Sequence, residues 1–327
     1  MNDMNKNTKI YIAGHTGLVG SAILKSLQAS GYTNLIVHSH AELDLLDQQA
    51  VNAFFEKEKP EYVFLAAAKV GGIAANSSYP ADFIYANTMI GFNVIHAAYK
   101  HGVKKLVNLG SSCIYPKMAS QPIKEEYLLS DFLEPTNEAY AIAKISAIKL
   151  CSYYNKQYRT NFLSVMPTNL YGPGDNYDLA GSHVLPALIR KFHEAKISGN
   201  DLVVLWGDGS PRREFLFSLD LAKALIMLMQ NNNANDLSNP AGDFVNVGCG
   251  EDLTIKELAE TIRDIVYADM SNKTCVIEWD TSKPNGTPQK LLDISRIAAL
   301  GFSPKTSLTE GIQLAYQDFI NNYHQQK

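Results

Sequence analysis

Gly14-His15-Thr16-Gly17-Leu18-Val19-Gly20 follows the apolar run 9–13 and opens the helix-period pattern 18–30. A strand that passes into a helix through glycines at this spacing serves three needs: a tight turn, backbone approach to a pyrophosphate, and close packing of helix on strand. The helix N-terminus then presents unpaired N–H groups to the phosphates. Three glycines by themselves also mark an ordinary tight turn. Their place between strand and helix points to dinucleotide binding and to a parallel sheet behind it.

The rest of the first half keeps that rhythm. Apolar runs at 35–37, 62–65, 105–109 and 162–166 read as strands. Between them, 48–57, 81–101 and 137–158 carry helix-period apolar faces. This alternation predicts a sheet covered on both faces, because right-handed crossovers place helices there. Ligands then bind at the carboxyl ends of the strands. After Pro167 the pattern changes to the turn-rich Tyr171-Gly172-Pro173-Gly174-Asp175-Asn176, a helix at 184–195, a strand at 202–206 and a turn cluster at 207–211. A helix at 219–230, a polar loop at 231–239 and a strand at 244–247 that can rejoin the main sheet come next, with helices at 255–266 and 308–323. The fold class expected is α/β: a Rossmann-type doubly wound parallel sheet with a smaller mixed α/β C-terminal substrate lobe. Residues 1–170 form the first domain, with a return segment near 215–250, and 171–327 form the lobe.

A chain of 327 residues with 46% hydrophobic residues can bury a sizeable core. Its net charge of −4 argues against a general nucleic-acid binder, which needs basic stripes. No segment approaches the roughly 18 uninterrupted apolar residues of a membrane span. Residues 1–9 are polar without an apolar signal region, so the cytoplasm is expected. Cys113, Cys151, Cys249 and Cys275 show no metal-ligand spacing, so neither a metal site nor a disulfide framework is expected. Cys151, Cys249 and Cys275 read as small core residues.

Three stretches carry chemistry: Ser111-Ser112-Cys113, Tyr140-Ala141-Ile142-Ala143-Lys144 and Ser182-His183. Tyr140 and Lys144, four apart on a helix, share a face. An ammonium beside a phenol draws the phenol's pKa down, which would make Tyr140 the proton donor to a ketone under reduction, with the Ser111 hydroxyl sharing the oxyanion. In an extended segment Cys113 points to the same side as Ser111. A thiol and an imidazole suit removal and return of carbon-bound protons, which reduction alone does not need. Without those neighbours, Cys113 would be a packing residue, His183 structural, and Tyr140 with Lys144 a surface pair.

The second strand ends in His38-Ser39-His40, without the acid that binds a ribose 2′-hydroxyl and repels a 2′-phosphate. That leans toward NADP, with His40 a phosphate contact or else an exposed loop residue. Asp47 is an N-cap candidate. Ala66-Ala67-Ala68 closes the third strand with small side chains suited to backbone approach.

The stretches AAAKVGGI (66–73), YPADFIY (79–85), GSSCIYP (110–116), EPTNEAYAIAK (134–144), VMPTNLYGP (165–173), SHV (182–184), WGDG (206–209), RREF (212–215) and GTP (286–288) span nearly the whole chain. They resemble the GDP-L-fucose synthases, epimerase-reductases of the extended short-chain dehydrogenase/reductase superfamily. The glycine loop and YxxxK mark the superfamily; the cysteine and histidine stretches narrow it. The resemblance implies an NADPH-dependent conversion of GDP-4-keto-6-deoxy-D-mannose to GDP-L-fucose, by C3 and C5 epimerisation and then C4 reduction. It implies Cys113 as base and His183 as acid, with Lys144 holding the nicotinamide ribose. Gly14, His15, Thr16, Gly17, Leu18, Val19, Gly20, Leu109, Gly110, Ser111, Ser112, Lys144, Pro167, Thr168, Asn169, Leu170 and His183 would contact NADP. Trp206, Arg213 and Lys290 would contact the GDP-sugar, and two long helices, 81–101 and 137–158, would pair in a homodimer. The chain departs from the family pattern at Thr16 and His40, where arginines hold the 2′-phosphate. It departs again at the substrate positions Lys191, which lacks arginine's bidentate fork, and Asn285, which lacks an aspartate's charge, and at Phe217, a histidine position.

Rival readings are a reductase or epimerase on another GDP-4-keto sugar (3,6-dideoxy or heptose), a nucleotide-sugar 4,6-dehydratase, and a noncatalytic dinucleotide sensor. The dehydratase needs an Asp-Glu pair where this chain has Cys113-Ile114. The sensor has no need of Tyr140 with Lys144.

Overall fold

Short strands buried on both faces lead to a layered architecture. The structure, a computed structural model, describes residues 4–179, 181–270, 275–283 and 285–322. β1 (Ile10–Ala13), α1 (Leu18–Ala29), β2 (Leu35–Ile36), α2 (Gln48–Glu58) and β3 (Tyr62–Leu65) open the chain. α3 (Ile73–Ser78), α4 (Pro80–Lys100), β4 (Lys105–Leu109), α5 (Glu138–Tyr158), β5 (Phe162–Pro167) and β6 (Asn169–Tyr171) follow. Then come α6 (Val184–Ser198), β7 (Leu202–Trp206), β8 (Arg212–Arg213), β9 (Phe215–Phe217), α7 (Ser218–Asn231), β10 (Ser238–Asn239) and β11 (Gly242–Val247). The last elements are β12 (Leu253–Thr254), α8 (Ile255–Val266), β13 (Val276–Asp280), β14 (Gln289–Lys290), α9 (Ser295–Ala299) and α10 (Leu308–Asn322). Position 323 of the expected last helix lies outside the described residues, as do 1–3 of the polar start.

The main sheet runs β10-β11-β5-β4-β3-β1-β2, parallel except for the edge strand β10. Because side chains alternate along a strand, Ile10, Ile12, Val107 and Val165 pack with α1 and α7, while Tyr11, Val63, Leu106 and Phe162 pack with α2, α4 and α5. The expected doubly wound sheet is therefore present, and β11 does return to it beside β5. Strand order reverses at β1, with β2 on one flank and β3 on the other, which opens a crevice at their carboxyl ends. Asp47 caps α2 as expected, accepting from the N–H groups of Gln49 at 2.8 Å and Ala50 at 3.0 Å.

A second core joins Leu188 and Phe192 of α6, Leu258 and Ile262 of α8, and Ile312 and Phe319 of α10, with Phe215 and Phe217 of β9. A three-stranded sheet, β12-β8-β14, sets Lys290 opposite Arg213. The sequence pattern did not show α3, α9, β13 or the two- and three-residue strands other than β2; all of these but β13 are too short to carry a period.

Candidate active site

The loop after β1 has room for backbone only. Gly14 sits at φ +85°, and a Cβ there would stand 2.7 Å from the backbone of Ala67 at the end of β3. A Cβ on Gly20 would stand 2.0 Å from the Gly14 carbonyl oxygen. Gly17 caps α1 without a side chain, so the N–H groups of the first turn, from Leu18 on, are left unpaired. This is a cradle that fits a pyrophosphate. His40 is exposed, 3.6 Å from Asp44. Nearby, the exposed Glu42 folds back and accepts from the Ser39 N–H and hydroxyl at 2.7 Å each. The Ser39 bonds, and then His38 and His15, hold its pKa low.

At the end of β4 the chain does not stay extended. Ser112–Ile114 forms a single 3-10 turn, and Ser111 caps it by accepting from the Cys113 N–H at 3.4 Å. The turn, rather than strand alternation, brings the Cys113 thiol beside Ser111. Cys113 is buried, which raises its pKa; Lys290, Ser111 and Lys144 oppose that rise. Tyr140 and Lys144 on α5 come together as expected, the ammonium 5.7 Å from the phenol ring centre. Lys144 donates to the Leu109 carbonyl at 2.9 Å, and burial brings its pKa down to about 8, against the opposing pull of Cys113. The expected depression of the Tyr140 pKa is not found. Burial, and then Cys113, raise it well above the ordinary phenol value. Desolvation of a phenolate here outweighs the attraction of the neighbouring ammonium.

Lys290 and Cys113 line one cavity, with Gln121, Glu134 and Asn137. Burial lowers the Lys290 pKa, Cys113 raises it, and Arg213 lowers it again. Arg213, half-buried, donates to the Arg212 carbonyl at 2.8 Å, and burial lowers its pKa. The Arg212 side chain is solvent-exposed and pairs with Asp252 at 2.8 Å. His183 is the N-cap residue of α6 and is exposed to solvent. Desolvation, and then Lys290, lower its pKa, and a helix N-terminus acts in the same direction. The adjacent Gly181 carbonyl accepts from the Gly72 N–H at 3.2 Å, tying this loop to the segment after β3.

The expected substrate positions are less uniform. Trp206 is 65% exposed on the outer face of β7, with the Lys283 ammonium 5.7 Å from its ring centre. Lys191 reaches the same strand, donating to the Val204 carbonyl at 3.3 Å. Asn285 instead buttresses the 207–210 turn: its side-chain oxygen accepts from the Asp208 N–H at 3.0 Å. Asn87 anchors the segment after β3 through reciprocal 3.0 Å bonds with the backbone of Lys69. Cys249 is half-buried rather than in the core.

One residue the sequence reading passed over is Glu214, which is fully buried. Its carboxylate accepts from the N–H groups of Cys249 at 2.6 Å, Gly250 at 2.7 Å and Leu292 at 3.1 Å. Its backbone oxygen accepts from Thr168 at 3.2 Å and Asn169 at 2.9 Å. It thereby joins the end of β5 to Arg213 and to the strand that carries Lys290. An acid inside RREF gives no sign of burial on its own. Among the described residues no cluster has metal-holding potential.

A family model described as the NAD dependent epimerase/dehydratase family matches residues 10–248. GDP-L-fucose synthase 1 of Arabidopsis thaliana is 54% identical over 318 residues, 97% of this chain and 95% of that protein. GDP-L-fucose synthase of Escherichia coli (strain K12) is 52% identical over 316 residues, 96% of this chain and 97% of that protein. Among solved structures, MlghC, the GDP-mannoheptose C4 reductase from Campylobacter jejuni with NADP bound, superposes with a TM-score of 0.88 at 43% identity, covering 97% of this chain and 99% of that one.

Proposed function

From the premise that this chain belongs to the NAD dependent epimerase/dehydratase family, among its GDP-L-fucose synthases, we propose that it converts GDP-4-keto-6-deoxy-D-mannose to GDP-L-fucose with NADPH. The observation that carries the reading is the buried thiol of Cys113, placed beside Ser111, Tyr140, Lys144 and Lys290. A simple ketone reductase has no use for it.

The carbonyl at C4 makes the C3 and C5 hydrogens acidic, provided that its oxygen is held by donors. The Ser111 hydroxyl and the Tyr140 phenol supply them. Cys113 Sγ then removes a carbon-bound proton, and His183 returns one on the opposite face, so that each carbon inverts. NADPH, when bound, supplies the hydride to C4. Tyr140 Oη gives its proton to the resulting alkoxide; a phenol held protonated by burial is suited to donating only at that stage. Lys144 orients the nicotinamide ribose, and Arg213, Lys290, Lys191 and Trp206 hold the GDP-sugar. The glycine loop from Gly14 to Gly20 fits the pyrophosphate. Leu109, Gly110, Pro167, Thr168, Asn169 and Leu170 stand at the carboxyl ends of β4 and β5, where the nicotinamide belongs.

The same reading divides the chain into a cofactor domain, 1–170 with its return near 215–250, and a sugar lobe at 171–327. It pairs two copies through α4 and α5, which pack on each other and leave Phe92 (37%), Ile142 (39%) and Tyr153 (62%) exposed on their outer faces. Four free thiols fit the cytoplasm, and no helix among the described residues is long and apolar enough to cross a membrane.

Incubation with GDP-4-keto-6-deoxy-D-mannose and NADPH in D₂O tests the reading. The parent enzyme oxidises NADPH and leaves deuterium at C3 and C5. Cys113→Ala loses deuterium exchange by about 10²–10⁴-fold and still binds NADPH, whereas Tyr140→Phe stops NADPH oxidation. NADPH oxidation without exchange, or turnover confined to a keto-heptose, would favour the alternative suggested by the heptose reductase likeness.

A further inference from the structure

α5 starts at Asn137, a residue type that normally caps a helix by accepting from its first N–H groups. Here it does not. The backbone carbonyl of Asn137 accepts from Ala141 at 3.0 Å, but the side chain makes no capping bond. Its Oδ1 is instead buried without a hydrogen-bond partner. A buried carbonyl with no donor costs about 1–3 kcal/mol, and the missing cap forgoes about 1 kcal/mol more. The side chain lines the cavity that Cys113 and Lys290 line. Two other polar side chains there are held by the protein. Gln121 donates to the carbonyls of Ala119 and Gln289 and accepts from the Leu291 N–H. Glu134 pairs with Lys117 at 2.9 Å. The cavity therefore offers a thiol, an ammonium and, in Asn137, a neutral acceptor without a partner, three residues before the proton donor Tyr140.

We propose that Asn137 is a specificity-determining residue whose Oδ1 accepts a hydrogen bond from the C2 or C3 hydroxyl of the keto sugar. The proposal rests on the functional reading above and deepens it. A sugar hydroxyl is the donor that satisfies a buried neutral acceptor without introducing a charge beside Lys290 and Cys113. The bond orients the ring so that the thiol meets a carbon-bound hydrogen. A chain under no such demand would turn the amide back onto the helix it begins.

The test compares parent enzyme, Asn137→Ala and Asn137→Ser on GDP-4-keto-6-deoxy-D-mannose and on its 2-deoxy and 3-deoxy counterparts. Asn137→Ala is expected to lower kcat/KM on the full sugar about tenfold, the loss of one hydrogen bond. On the deoxy sugar that lacks the partnered hydroxyl, the same variant should match the parent. NADPH affinity and Tm should not fall, since no cap is removed. Asn137→Ser, able to cap α5, should raise Tm while losing activity, which separates the site role from a folding role. Equal losses on all three sugars, no loss on the full sugar, or an activity loss that tracks a falling Tm would overturn the proposal. Parent enzyme inactive on the full sugar would instead overturn the functional reading, so the two failures are distinguishable.

Discussion

Gly20→Ala puts the cofactor cradle to a quantitative test. The added Cβ would lie 2.0 Å from the Gly14 oxygen, 2.5 Å from its carbonyl carbon and 2.8 Å from the His15 Cα. All three are backbone atoms, so no side chain can rotate away. To reach ordinary contact at 3.4 Å, the gap between α1 and the loop must open by about 1.4 Å. Overpacking of this kind costs about 1–3 kcal/mol of stability. The same movement carries the N–H groups at the start of α1 away from the pyrophosphate. Losing one charge-assisted hydrogen bond, about 1.5–3 kcal/mol, weakens NADPH binding roughly 10–100-fold. Gly17→Ala is the comparison, because its Cβ would stand 3.6 Å from the Gly14 oxygen, an ordinary contact. Its cost is the replacement of an N-cap glycine by alanine, about 0.5–1 kcal/mol. Thermal unfolding and quenching of NADPH fluorescence measure both effects. A Gly20→Ala protein with parental Tm and parental NADPH affinity would refute the reasoning, and so would equal losses in the two variants.

Two further predictions concern the pocket and the assembly. Burial raises Cys113 above its usual 9.0, and burial with Lys290 lowers His183 below its usual 6.5, so the productive pair, thiolate and imidazolium, is a minor form. The pH profile of kcat/KM for deuterium exchange should be a bell, with an acid limb at the His183 pKa and an alkaline limb at the Cys113 pKa. Lys290→Met removes a charge that lowers both groups, so both limbs should move to higher pH; limbs that stay in place would exclude Lys290 from the electrostatics of the pair. Phe92→Glu combined with Tyr153→Glu should turn a dimeric parent into a monomer by light scattering, because charged groups replace apolar ones on the outer faces of α4 and α5. A monomeric parent, or a dimer that persists in the variant, would exclude that face.

Much was legible before any coordinates. The glycine loop, the alternating runs and the spacing of Tyr140 and Lys144 are local codes, and the sheet, its flanking helices and the Asp47 cap follow them to within a residue or two. The quoted stretches sufficed for the family. Local geometry was misjudged where one residue changes conformation: the turn at Ser112–Ile114 replaced the expected extension after Ser111.

Sequence by itself determined which groups exist and which backbone positions must be glycine, because strand period, helix period and turn chemistry act over a few neighbours. Only the tertiary structure decided what those groups are worth. It buried Glu214 among three N–H donors, raised rather than lowered Tyr140, and left the Asn137 side-chain oxygen without a donor. Desolvation and charge proximity depend on segments far apart in the chain meeting in space, and no local pattern encodes that.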